Sequence, residues 1–207
     1  MTEHYFSPTP GVPQNRRRTD VTIRGVDYSV AVASGTFSPG GLDRGTTVLL
    51  AEVPDPSASI HTALDLGCGW GPITLALANA LAKSSPEATI WAVDINERAR
   101  DLTADNASQA GYDNVSVIDP GGFPDGQTVD LIWSNPPIRI GKKALHELLT
   151  TWLNRLSEAG EAWLVVGKHL GAESLVTWLN NDLDGAFLAT RHARDKGFHV
   201  IQVTRKN

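Results

Sequence analysis

The stretch from Ala63 to Ile73, Ala-Leu-Asp-Leu-Gly-Cys-Gly-Trp-Gly-Pro-Ile, constrains this chain more than any other. An apolar run meets an acidic residue, Asp65, and then three alternate glycines. Pro72 follows at a position where a helix can start, since a missing N–H costs little in a first turn. The pattern predicts a buried strand, a tight turn and a largely apolar helix continuing through Leu81. Gly67, Gly69 and Gly71 admit backbone angles closed to residues with a Cβ, so main-chain N–H groups there can approach a ligand. A second apolar run, Ile90 to Val93, ends in Asp94, which a βαβ unit would bring beside the glycine turn. A carboxylate in that place can accept both hydroxyls of a ribose, so the corner suits a nucleoside cofactor. A third apolar run stops at Ser134-Asn135-Pro136-Pro137-Ile138. Proline lacks an N–H, fixes its own φ and holds the preceding residue extended. The Asn135 side-chain oxygen and the Pro136 carbonyl are therefore preset acceptors, suited to chemistry on an amine.

The rest of the chain fits an α/β sandwich with a mostly parallel sheet, because apolar strand-like runs alternate with segments of helical period. Helices are expected at Thr46 to Glu52, Asn96 to Ala110, Lys142 to Leu156 and Ala172 to Asn180. Strands are expected at Val115 to Ile118, Val129 to Trp133 and Ala162 to Val166, with Gly160 ending the helix before the last of these. Phe187 to Arg191 and Phe198 to Thr204 read as a closing antiparallel pair turning at Asp195-Lys196-Gly197. Val21, Ile23, Tyr28, Val30 and Val32 alternate with polar or small residues, which predicts a β-hairpin over residues 20–37. Residues 1–19, with Pro8, Pro10, Pro13 and Arg16 to Arg18, read as an extended arm. The expected organisation is one domain over 20–207, its catalytic core at 60–207.

With 207 residues and 41% hydrophobic content, one sizeable core can be buried but two catalytic domains cannot be built. A formal net charge of −5 argues against a protein that coats nucleic acid non-specifically, since such affinity rests on Lys and Arg neutralising phosphate. A local basic track remains open to Arg16 to Arg18 and Arg24, to Arg139, Lys142 and Lys143, and to Arg191, His192, Arg194 and Lys196. Cys68 is the single cysteine, so the chain offers neither an internal disulfide nor a multi-thiolate zinc site. The reading is a reducing, cytoplasmic setting with no metal and no membrane span, and oligomeric state is not legible.

The ordered motifs resemble the class I S-adenosylmethionine-dependent methyltransferases, with Asp65-Leu66-Gly67-Cys68-Gly69-Trp70-Gly71 as the first motif and Asn135-Pro136-Pro137-Ile138 as the fourth. Gly35-Thr36-Phe37-Ser38-Pro39-Gly40-Gly41-Leu42-Asp43-Arg44-Gly45-Thr46 and Ser134 to Lys142 are similar, more narrowly, to the small-subunit ribosomal RNA guanine-N2 methyltransferases. The resemblance implies a Rossmann-like, seven-stranded, mostly parallel sheet with a C-terminal antiparallel hairpin and a small N-terminal β-hairpin. It implies S-adenosyl-L-methionine as cofactor, held by Asp65, Gly67, Cys68, Gly69, Asp94, Ile95, Asp119 and Asn135. Catalysis would fall to Asn135, Pro136 and Pro137, and substrate contact to Phe37, Ile138, Arg139 and Lys142. The implied partner is ribosomal RNA or a small-subunit particle. Cys68 reads as a packing residue rather than a nucleophile, and Asp43, Thr46 and Thr47 suit a turn and cap as well as a ligand contact. Asn-Pro-Pro chemistry also serves protein glutamine and DNA adenine, and a nicotinamide oxidoreductase or a non-catalytic nucleoside-binding module are further alternatives.

Overall fold

The computed structural model describes residues 15–206; the expected arm falls mostly outside them. Strand β1 (Arg16–Ile23) pairs with β2 (Val26–Ala33), the two joined by Arg24 and Gly25, both with positive φ as a two-residue hairpin turn requires. The hairpin starts at Arg16, ahead of the expected residue 20, because Arg16, Arg17 and Arg18 pair with Ala33, Val32 and Ala31. An exposed strand needs no apolar alternation to be recruited by its partner's backbone. Helix α1 (Arg44–Glu52) follows the hairpin.

The core then runs β3 (Thr62–Leu66), α2 (Pro72–Ser84), β4 (Thr89–Val93), α3 (Glu97–Gln109), β5 (Val115–Ile118), β6 (Val129–Ser134), α4 (Lys142–Leu153), β7 (Leu156–Gly167), α5 (Ala172–Asn181), β8 (Phe187–Asp195) and β9 (Phe198–Arg205). The sheet order is β5-β4-β3-β6-β7-β9-β8, and only β9 runs against its neighbours. This is the Rossmann-like methyltransferase architecture the motifs imply. Period-two alternation divides the core into two layers. Ala63, Leu131 and Trp133 face the hairpin, α1 and α2, whereas Leu64, Leu66 and Ile132 face α4 and α5.

A second expected boundary is corrected. Helix α4 ends at Leu153, and Leu156 already belongs to β7, opposite Val129. The pairing resumes at Leu131 with Glu161, so residues 157–160 bulge out of the ladder, and Gly160 sits within the strand rather than ahead of it. A Cβ on Gly160 would lie 2.9 Å from the Ser157 carbonyl oxygen, which is why glycine stands there. Leu156 follows Trp152 at helical spacing and is buried in the same layer, so periodicity alone could not separate helix from strand.

Candidate active site

The carboxyl ends of β3, β4 and β6 open into one cavity of about 440 Å³. Strand pairing dictates this. Leu66 stands opposite Val93 on one side and Ser134 on the other, so the three following turns leave the sheet side by side where strand order reverses. The buried Ser134 hydroxyl donates to the Leu66 carbonyl at 2.7 Å and ties β6 to β3 at this level. The N–H groups of Gly67 and Cys68 both donate to the Val93 carbonyl, at 2.8 and 3.1 Å.

Two glycines of the bend are required for different reasons. Gly67 has φ +80° and a Cβ there would meet nothing within 4 Å, so the space above it is open to a ligand. Gly71 has φ +95° and its Cβ would press within 3.3 Å of Thr103, including that residue's Cα, so here glycine allows α2 and α3 to approach.

Asp94 is held by backbone donors, Oδ2 accepting from Gly69 at 3.0 Å and Oδ1 from Asn96 at 2.9 Å. Burial pushes its pKa up against the pull of those two hydrogen bonds. Asp65 is fully buried behind the bend. Its Oδ2 accepts from the Thr74 hydroxyl at 2.6 Å, while Oδ1 has no donor. Burial, and after it the charge of Asp94, push the Asp65 pKa up to about 7 against the pull of the Thr74 hydroxyl and backbone N–H. A buried polar atom without a partner costs free energy and calls for an explanation.

On the facing side, Pro137 (φ −74°, ψ 71°) is the centre of an inverse γ-turn in which the Pro136 carbonyl accepts from the Ile138 N–H at 2.8 Å. The Asn135 Nδ2 donates to Asp43 Oδ2 and to Thr46 Oγ1, each at 3.0 Å. A narrow cleft of about 20 Å³ continues the cavity between Asn135 and the glycine bend, with Phe37 over it.

Of the residues expected at the site, Phe37, Gly67, Asp94, Ile95 and the run from Asn135 to Arg139 line the main cavity. Cys68 and Gly69 line the narrow cleft. The Cys68 thiol is buried, accepts from the Thr103 hydroxyl and has its pKa pushed far up by burial, as a packing residue would. Asp65, Asp119 and Lys142 do not line either space. Asp119 accepts from the Gly121 N–H at 2.9 Å, closing a 3-10 turn, and Pro120 takes the wall position instead. Sequence reasoning missed Asn96, Trp152, Leu170 and Phe198, which also line the cavity. Asn96 reads as a helix start, and its side chain does cap α3, but its Nδ2 also donates to the Gly35 carbonyl at 2.9 Å. Leu170 is 51% exposed at the rim, a cost with no signature in the sequence.

The family model for the methyltransferase small domain matches residues 27–202. The chain belongs to that family. YbxB of Bacillus subtilis (strain 168), described as uncharacterized, is 34% identical over 208 residues, spanning 99% of this chain and 100% of that protein. Ribosomal RNA small subunit methyltransferase C of Shewanella pealeana is 33% identical over 140 residues, 66% of this methyltransferase but only 39% of that longer relative. Among solved structures, the T. thermophilus 16S rRNA N2 G1207 methyltransferase, in complex with AdoMet and guanosine, superposes with a TM-score of 0.73 at 21% identity, over 96% of this chain and 52% of that one. At that identity the likeness speaks for the fold. Family and fold make this an S-adenosylmethionine-dependent methyltransferase. The residues present fit that cofactor: a buried carboxylate oxygen without a donor lies behind a glycine bend with open space over Gly67, and a second carboxylate lines the same cavity.

Proposed function

We propose that this methyltransferase modifies an exocyclic amine, N2 of a guanosine in small-subunit ribosomal RNA. The observation that carries the reading is the Asn135 amide. Both hydrogens of its Nδ2 are committed to Asp43 and Thr46, which leaves Oδ1 as an acceptor beside the glycine bend. The curated relatives named for ribosomal RNA methylation support an RNA acceptor, as does the guanosine held by the T. thermophilus neighbour.

S-adenosylmethionine, when bound, supplies an electrophilic methyl group on a positively charged sulfur. This chain positions what receives it. The guanine amine is a weak nucleophile because its lone pair is delocalised into the ring. Asn135 Oδ1 accepts one amine hydrogen, and the lone pair of the Pro136 carbonyl not used by Ile138 accepts the other. Two fixed acceptors favour the pyramidal nitrogen and aim its lone pair. Proximity and preorganised electrostatics then supply most of the acceleration, and the proton leaves to water without a strong base. Asp94 would accept the ribose hydroxyls with lone pairs that its backbone donors leave over, Ile95 would cover the adenine, and the donorless Asp65 oxygen, buried behind the bend, would accept a hydrogen bond from that side. Phe37 stacks on the target base, while Arg139 and Lys142 meet phosphate. An RNA partner of this kind places the protein in the cytoplasm.

Ile138 favours guanine over DNA adenine or protein glutamine, since many Asn-Pro-Pro enzymes acting on those carry an aromatic ring at this position. The test is transfer of a tritiated methyl group to ribosomal RNA that lacks the modification, followed by nucleoside mass spectrometry. N2-methylguanosine is expected; label in adenosine or in protein instead would sink the proposal. Asn135→Ala is expected to reduce kcat by about 100- to 1,000-fold, as loss of an oriented polar group does, with cofactor affinity retained. Asp94→Ala is expected to weaken cofactor binding, measured by calorimetry with S-adenosylhomocysteine.

A further inference from the structure

We infer that Asp43 is a positioning residue for methyl transfer, its carboxylate holding the Asn135 amide in the one orientation that offers Oδ1 to the acceptor. The inference rests on the reading of Asn135 given above. Asp43 and Asn135 are 92 positions apart in the chain, yet Nδ2 of Asn135 lies 3.0 Å from Asp43 Oδ2. The same oxygen accepts from the backbone N–H groups of Gly45 at 2.7 Å and Thr46 at 3.2 Å, so Asp43 is itself fixed as the N-cap of α1. The Thr46 hydroxyl, buried in the first turn of that helix, supplies the second anchor at 3.0 Å.

An amide has two ends of similar shape and opposite hydrogen-bonding character, and only its surroundings decide which end faces a ligand. A carboxylate accepts and never donates. Turning the Asn135 amide over would set its oxygen against Asp43 Oδ2, acceptor to acceptor, in a part-buried place where the repulsion is poorly screened. The anchored orientation therefore leaves the amide oxygen as its unengaged end. A hydrogen bond to a charged acceptor also polarises the donor amide, which strengthens Oδ1 as an acceptor for an amine that must lose planarity. Gly45 keeps the contact close: a Cβ there would lie 3.0 Å from Asp43 Oδ2, 3.3 Å from Asn135 Nδ2 and 3.1 Å from Phe198 Cε1.

The test compares Asp43→Asn, which retains a good N-cap but removes the charge and can present either end to Asn135, with Thr46→Val, which deletes the second anchor at constant shape. Each is expected to lower kcat on ribosomal RNA, Asp43→Asn by about 100-fold as misplacement of a reacting group does, while KM and S-adenosylhomocysteine affinity stay near wild type. In an Asn135→Ala background the same substitutions should change kcat little, because their effect passes through Asn135. Hydrogen exchange of the Asn135 side-chain amide, identified in ¹⁵N spectra by its loss in Asn135→Ala, is expected to be slow in the wild type and fast in both variants. Equal losses of kcat with and without Asn135, or unchanged exchange in both variants, would overturn the inference. The exchange measurement needs no acceptor, so failure of the wild type to methylate RNA would count against the proposed substrate alone.

Discussion

Burial sets the chemistry of Asp65. In the unfolded chain its carboxyl ionises near the ordinary value of about 3.9, whereas in the fold it ionises at about 7. The folded state thus favours the protonated form. Stability from this group is complete below the unfolded value and is lost as pH rises through the folded one. The Asp94 pKa is raised too and adds the same sign. Melting temperatures of the ligand-free protein are expected to fall between about pH 4 and pH 7, and Asp65→Asn should flatten that slope; an unchanged slope in the variant would show that other groups set it. Gly71 makes a second prediction at this scale. Gly71→Ala combines a left-handed φ with a clash against the Thr103 backbone, and about 1–3 kcal/mol of stability should go from the strain alone, read from urea unfolding. Gly67 offers a contrast, because a Cβ there meets no protein atom; Gly67→Ala should weaken cofactor binding in addition to its backbone strain.

At the scale of elements, the N-terminal hairpin reaches the site through side chains that sequence patterning does not reveal. Asn106 on α3 accepts from the Ala31 N–H at 2.7 Å and donates to the carbonyls of Ala31 at 2.9 Å and Trp70 at 2.8 Å. One buried amide therefore fastens β2 to α3 and to the glycine bend. Asn106→Leu would leave three buried backbone groups unpaired, and a loss of about 2–4 kcal/mol is expected from one to two such penalties after relaxation. Faster hydrogen exchange at the Ala31 amide would locate the damage in the hairpin; uniform weakening across the sheet would show that the hairpin is not held this way. The same contrast explains what could be read in advance. The glycine bend, Asp94 and Asn-Pro-Pro are each contiguous with the strand that positions them, so type and order were enough to place them at one end of one sheet. The partners of Asn135, like those of Asn106, come from remote segments, and a lone Asp or Asn in sequence reads only as a cap or a turn. Asp119 shows the converse. It also follows a strand, β5, but there the Pro120-Gly121-Gly122 run makes a local turn in which Oδ1 accepts from Gly121, and Oδ2 lies 3.5 Å from Arg100, a partner no local pattern announces.

For the whole molecule, a net charge of −5 repels RNA, so docking of the proposed RNA substrate would depend on a few cations near the cavity mouth. Several basic residues are already paired. Arg191 and Arg194 share Glu173 at 3.8 and 3.4 Å, and Lys143 approaches Glu147 at 3.8 Å. Arg139 lines the mouth, is exposed, and like Lys142 has no ion-pair partner among the described residues. The opposing effects respond differently to salt. Added salt screens the distant acidic surface beyond a Debye length of about 10 Å and so eases approach, but it also removes the counterion release that each phosphate contact provides. If the local contacts dominate, log KM for RNA rises with log salt by about 0.7 for each phosphate contacted on a single strand. Arg139→Ala should then raise KM and reduce that slope by about 0.7, while Arg194→Ala, which removes a cation on the β8 edge that shares Glu173 with Arg191, should leave the slope near wild type. Steady-state kinetics over a range of potassium chloride concentrations distinguishes the two. A slope that survives Arg139→Ala but drops in Arg194→Ala would move the RNA path from the mouth beside Asn135 to the outer edge of the sheet at β8.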